Sequence, residues 1–360
     1  MQEIPIMPEG LTPAFLTGLL RAHGALPESG SVVSVEQSQI GAGTGMMAEL
    51  ARLSLTYSGD AGAAPPTVVA KFSSQNPTNR DIAMSYNLYE REARFFQEIA
   101  GNISTQTPEL YFSGFKGDRF LILMQDLANY EVGSQVVGAD QRQTELAIDA
   151  LVALHATYWD KTDGLDWVPA IADSYHADNM VSFCEIAGPV TQERFSEYLT
   201  SDYGKYFERF SAALPRLQAY MNERPKTLCH GDFRMENLLY GRGEQTGEVV
   251  VIDWQGPLLA RGMNDVSLFL AQSTQTAVRE STERAMIERY VEGLSANGIK
   301  DLSIDSAFEE YRFSILYNWV YVTVVAGTLD ASDPTAYAWM AQMVARQSAA
   351  SDALSTYALI

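Results

Sequence analysis

Two textures divide this chain. Through residue 125 it is mostly short β-rich runs, and beyond that it is helical except for one strand-rich island at 237–253. The stretch VVSVEQSQIGAGTGMMAELARLSLTY (32–57) has strand character on both sides of a glycine cluster, and TVVAKFS (67–73) is a β-branched strand after a turn-rich link. ELYFSGF (109–115) and RFLILMQ (119–125) add two more strands. An amphipathic helix at 11–23 precedes them. A helix at 81–100, with Ile82, Tyr86, Tyr89, Ala93 and Phe96 at helical spacing, interrupts them. Further helices are predicted at 141–159 and 284–296. The order predicts an α+β chain in two lobes: a small antiparallel-sheet lobe over 1–125 and a large, mainly helical lobe over 126–360.

The formal charge of -20 comes from 25 basic and 45 acidic side chains. Nucleic acid and anionic membrane are therefore not expected partners, since each needs a basic face. A cationic small molecule suits that field, whereas a nucleotide needs a metal and local lysine or arginine. Hydrophobic residues at 46% and charged residues at 19% are ordinary for a soluble globular chain. SILYNWVYVTVVAG (314–327) is too short to span a bilayer and reads as a buried helix. MQEIPIMPEGLTP lacks the basic start and apolar run of a signal peptide. Cys184 and Cys229 have neither metal-like spacing nor a disulfide framework, so a reducing, cytoplasmic setting is expected.

The chemistry-bearing stretch is LCHGDFRMENLLYG (228–241). Phosphoryl transfer asks for a carboxylate to orient the attacking hydroxyl, two oxygen ligands for magnesium, a lysine on the phosphates steadied by a glutamate, and a flexible glycine cover. Asp232 stands five residues before Asn237, and Asp253 follows at the end of the apolar run in VVVIDWQG. Lys71 ends the VVAK strand, and the next helix offers Glu90 and Glu92, which helical geometry does not separate. Gly41, Gly43 and Gly45 lie between two strands, where the cover belongs.

Together VVAKF, YEREARFF, LMQDL, LVALHATYW, CHGDFRMENLLY and VIDWQ resemble the aminoglycoside phosphotransferase and choline kinase-like branch of the protein-kinase fold. The resemblance is closest to the bacterial ecdysteroid kinase-like group. It runs from about residue 40 to residue 270 and implies an ATP- and magnesium-dependent small-molecule kinase. It assigns Asp232 as catalytic base, Asn237 and Asp253 as magnesium ligands, Lys71 to the α- and β-phosphates, and Glu92 as its ion-pair partner. Met124, Gln125, Asp126 and Leu127 become the hinge whose backbone meets adenine. The implied acceptor is a small-molecule alcohol, aminoglycoside-, choline- or steroid-like. The glycines fall as GAGTG rather than GxGxxG, Gln125 stands where the family has a glutamate, and Trp254-Gln255 replaces the Phe-Gly of protein kinases.

Blander roles are expected for several neighbours. His230 and His155 read as packing residues, and Asp265 as a helix cap or a support for the loop backbone. Trp159, Tyr317, Trp319 and Tyr321 at helical spacing read as core rather than as pocket lining. Only a short segment separates Asp253 from Asp265, too little to present a peptide, which disfavours a protein kinase. A non-catalytic nucleotide-binding scaffold is the remaining alternative, although neither base nor metal ligand is lost.

Overall fold

The computed structural model describes residues 4–41, 47–199 and 203–360. The chain forms two compact units: one of residues up to Asn102 with Thr107–Ala128 and Ile252–Gly256, the other of Ile103–Gln106, Asn129–Val251 and Pro257–Ile360.

In the first unit, α1 (Pro13–His23) starts where the Thr12 hydroxyl accepts the Phe15 N–H, and it stops at Gly24, whose φ of 90° a side chain would resist. Its Phe15, Leu16 and Leu20 pack with Leu53, Val68, Ala70, Leu121 and Leu123 of the sheet. Each such buried Leu, Val or Phe side chain stabilises by roughly 1.5–3 kcal/mol. The strands are β1 (Ser31–Ile40), β2 (Ala48–Ser58), β3 (Thr67–Ser73), β4 (Leu110–Lys116) and β5 (Arg119–Gln125), antiparallel in the order β1-β2-β3-β5-β4. The central strand β3 is buried along nearly its whole length, as its β-branched sequence predicts.

The single helix expected over 81–100 is broken. Asn76 caps α2 (Pro77–Ser85), and α3 (Leu88–Arg94) runs on into a π-turn at Phe95–Ile99. Between them Asn87 takes φ 54°, a left-handed geometry that asparagine tolerates better than most residues. The break resets the helical phase. Ile82 ends up exposed, while Tyr89, Glu92, Ala93 and Phe96 share the buried face.

The second unit holds β6 (Tyr130–Val132), α4 (Gln141–Tyr158), α5 (Ser174–Phe195), α6 (Tyr203–Met221), β7 (Thr227–Cys229), β8 (Leu238–Gly241), β9 (Val249–Val251) and β10 (Leu258–Ala260). Then come α7 (Met263–Leu268), α8 (Thr276–Ala296), α9 (Ile304–Tyr317), α10 (Trp319–Thr328) and α11 (Pro334–Ala353). Strands β6-β8-β9 form one small sheet and β7-β10 another, so the HGD loop is slung between two short sheets. The helix expected over 314–327 is split at Asn318. This buried amide donates to the Asn264 carbonyl (3.0 Å) and the Ser267 hydroxyl (2.8 Å) of α7, which compensates its burial and ends α9. Residue 327 is glycine where α10 meets α5, because a Cβ there would fall 2.4 Å from the Ala187 carbonyl oxygen. Among the described residues, no helix is long and apolar enough to cross a membrane.

Candidate active site

Lys71 projects from β3 with only 7% of its surface exposed. Its Nζ lies 2.7 Å from a carboxylate oxygen of Glu92 and 2.7 Å from Oδ1 of Asp253. Burial opposes the lysine's charge, but the two carboxylates outweigh it and hold the ammonium protonated, with its pKa raised. Burial conversely pushes the Glu92 carboxyl up, with Lys71 pulling it down and Asp253 adding to the rise.

Tyr89 explains why Glu92 rather than Glu90 reaches the lysine. Its hydroxyl accepts the Ser74 N–H (2.9 Å) and donates to the Met47 carbonyl (2.7 Å), and its ring stacks on Phe120. That anchor turns the face three and four residues on, Glu92 and Ala93, into the unit. Asp253 sits in the turn after β9 with φ 64°. The next residue, Trp254, is fully buried and stacks on Phe95 at 3.9 Å and 6°. The anchored indole fixes the turn that aims Asp253 at Lys71, and Gln255 Nε2 contacts its other oxygen at 3.3 Å.

In the second unit, Asp232 and Asn237 meet. Asn237 Nδ2 donates to the Asp232 carbonyl (2.8 Å) and to Oδ2 (3.0 Å), which leaves its own Oδ1 uninvolved in either bond. Arg234 lies 3.3 Å from Asp232, pairs with Glu236 at 2.7 Å, and rests over the Trp339 ring. Burial raises the Glu236 carboxyl against the pull of Arg234. A further donor reaches Asp232 from α10: the Tyr321 phenol, 2.5 Å from Oδ1.

The loop is held from below by Asp265 of α7. One oxygen accepts the His230 N–H (2.6 Å), the other the Gly231 N–H (3.1 Å). His155 Nε2 approaches at 3.4 Å, and its Nδ1 is bonded to Tyr290 Oη at 2.8 Å. Asp265 therefore supports the loop backbone. His230 is buried edge-on to Phe233, and its Nδ1 receives the Asp232 N–H. His155, Cys229 and Asp265 are close enough to converge on a cation. In this structure Asp265 accepts the two loop N–H groups, His155 Nδ1 is bonded to Tyr290, and Cys229 Sγ lies 3.6 Å from the Arg261 carbonyl oxygen.

The remaining sequence candidates are less engaged. Gly41 is exposed with φ 67°, while Gly43 and Gly45 lie outside the described residues. Met124 pairs with Val69 in the sheet. The Gln125 N–H is taken by the Glu109 carbonyl at 2.8 Å, so that particular hinge donor is already used. Asp126 is turned onto Arg52 at 2.8 Å, and Leu127 is half-buried. Trp159, Tyr317 and Trp319 are core residues, as expected. Tyr321 departs from that expectation because its ring is half-buried and its hydroxyl is on Asp232. Only its helical register with Trp319 and Tyr317 marked it in the sequence.

Solved structures with this arrangement of strands and helices include wild-type aminoglycoside 2'-phosphotransferase-IIIa in its GDP complex, at 15% identity, covering 94% of this chain and 99% of that one, with a TM-score of 0.53. Plasmodium vivax ethanolamine kinase matches at 13% identity over 87% of this chain and 82% of that one, TM-score 0.48. A spectinomycin phosphotransferase bound to ADP and spectinomycin matches at 15% over 97% and 100%, TM-score 0.47. Among curated proteins, none matches the chain by sequence. The fold is thus that of the kinase-like phosphotransferases, two-lobed and α+β. The chain belongs to the ecdysteroid kinase-like family, whose model matches residues 42–303, and its class is that of small-molecule kinases.

Proposed function

We propose that the protein transfers the γ-phosphoryl group of ATP to a hydroxyl of a small-molecule alcohol, with magnesium. The observation that carries this reading is the buried lysine of β3 held between Glu92 and Asp253. Held between two carboxylates, the ammonium stays charged and fixed in place, as a lysine that meets phosphates must be.

Asp253 and Asn237 would hold the magnesium, and both fit it. They are hard oxygen donors, and two protein oxygens with phosphate and water completing the shell is the usual magnesium arrangement. Bound there, the metal would supply positive charge beside the phosphates and offset the charge that builds during transfer. Asp232 orients the acceptor O–H and takes its proton as the new P–O bond forms and the bond to the ADP oxygen breaks. Lys71 steadies the α- and β-phosphates. The backbone around 124–127 would meet the adenine through groups other than the Gln125 N–H, and the glycine stretch at 41–45 would cover the phosphates.

The lobe over 1–125 would serve the nucleotide and that over 126–360 the acceptor, which we take to be an aminoglycoside-, choline- or steroid-like alcohol. The formal charge of -20 speaks against a nucleic-acid partner. The cytoplasm, where MgATP is abundant and the buried thiols of Cys184 and Cys229 stay reduced, suits this reading.

The test is thermal stabilisation by ATP with and without magnesium, for wild type and Asp253→Ala, followed by ATP turnover with an alcohol library. Magnesium-dependent stabilisation lost in Asp253→Ala, and turnover lost in Asp232→Asn with nucleotide binding retained, are the expected results. Stabilisation without any turnover would make the chain a nucleotide-binding scaffold. No stabilisation by any nucleotide would sink the reading.

A further inference from the structure

Asp232 receives two kinds of restraint. Asn237 and Arg234 belong to its own loop, within five residues of it. The Tyr321 phenol comes from α10, 89 residues further along, and is the shortest contact on the carboxylate at 2.5 Å. Its ring packs on the helical core that also contains Trp319 and Val320, so the position of the hydroxyl is set by that core. Burial and the adjacent Asp232 charge push the phenol's pKa well above its ordinary value, so it stays protonated and donates.

A carboxylate free to turn about its Cβ–Cγ bond offers either oxygen to an incoming hydroxyl. Here the two oxygens differ. Oδ1 accepts the Tyr321 phenol at 2.5 Å, with Arg234 Nε at ion-pair distance, 3.3 Å. Oδ2 accepts Asn237 Nδ2 at 3.0 Å and a long hydrogen bond from Arg234 Nε at 3.5 Å, both from its own loop. We infer that Tyr321 is a positioning residue for phosphoryl transfer: its phenol holds Oδ1 of Asp232 and so fixes the rotation in which the carboxylate meets the acceptor hydroxyl. The inference rests on the phosphotransfer reading above and adds to it a residue from outside the motif-bearing region. It also ties the orientation of the base to α10, a helix of the acceptor lobe.

The test is Tyr321→Phe, which keeps the ring that packs on the core and removes only the hydroxyl. The enzyme is assayed for MgATP hydrolysis with water as acceptor and for transfer to concentrated glycerol, alongside Asp232→Asn and the double variant. A charge-assisted hydrogen bond of this kind predicts a loss of about tenfold in kcat. The KM for MgATP and the unfolding temperature should stay unchanged, and the double variant should be no slower than Asp232→Asn. The inference is overturned if Tyr321→Phe turns over at the wild-type rate, if it is faster (the phenol then obstructs the acceptor), if the loss sits in the KM for MgATP, or if the two losses multiply. A wild type indistinguishable from Asp232→Asn in both assays overturns the phosphotransfer reading itself.

Discussion

The Asp265 carboxylate accepts the His230 backbone N–H at 2.6 Å, fixing the loop that carries Asp232 from a helix that begins beyond β10. Its other oxygen takes the Gly231 N–H, and His155 stands against it. Asparagine can supply only one acceptor oxygen. Asp265→Asn should therefore lose on the order of 3 kcal/mol in urea denaturation, the cost of breaking a buried ionic cluster. Turnover should fall with it, because Asp232 follows directly on that loop.

Asp265 also makes an acid limb of stability. Burial works against its ionisation, but the hydrogen bond and charge of His155, with the charge and N–H of His230, outweigh it and hold the carboxyl below its ordinary range. A depressed folded pKa gives stability that is present above the unfolded value of about 3.9 and is lost as pH falls through the folded one. Urea midpoints measured downward from pH 5 should drop more steeply for wild type than for Asp265→Asn. Parallel curves would remove Asp265 as the cause.

Lys71→Met should separate stability from nucleotide binding. The substitution leaves Glu92, only 2% exposed, without its counter-charge, at a cost of about 3 kcal/mol. Adding Glu92→Gln should recover much of that stability, since the stranded charge is gone. It should not recover MgATP affinity, which isothermal titration would read directly.

Gly327→Val should disturb the base from a distance. The new Cβ would fall 2.4 Å from the Ala187 carbonyl oxygen, forcing α10 away from α5 at a cost of about 1–3 kcal/mol. As α10 carries Tyr321, turnover should fall by more than in Tyr321→Phe. A variant with full turnover would show that the α5–α10 contact is not needed to place the phenol.

The parts of the site readable from sequence are those set by short-range geometry. Asp232 and Asn237 are five residues apart in a single turn, and their contact needs little beyond that loop. Lys71 is on a strand that its β-branched run announces, in a sheet whose five strands the alternation of runs and turns had marked. Glu92 was less readable. Its choice over Glu90 depends on the helix phase, which the left-handed Asn87 resets and the Tyr89 hydroxyl then anchors. No periodicity taken across 81–100 as one helix contains that break.

The sequence by itself determined the two textures, the order of strands and helices, and the identity of the base, metal-ligand and lysine candidates. Each of these follows from the composition and spacing of residues close together in the chain. Only the tertiary structure decided that 314–327 is two helices, that Asp265 carries the loop, and that Tyr321 belongs to the site rather than to the core. Those outcomes turn on hydrogen bonds that join Asn318, Asp265 and Tyr321 to groups 34 to 89 residues away. A polar or aromatic side chain on a helix does not announce its partner. The packing of the whole core brings the two together, and local spacing holds no record of it.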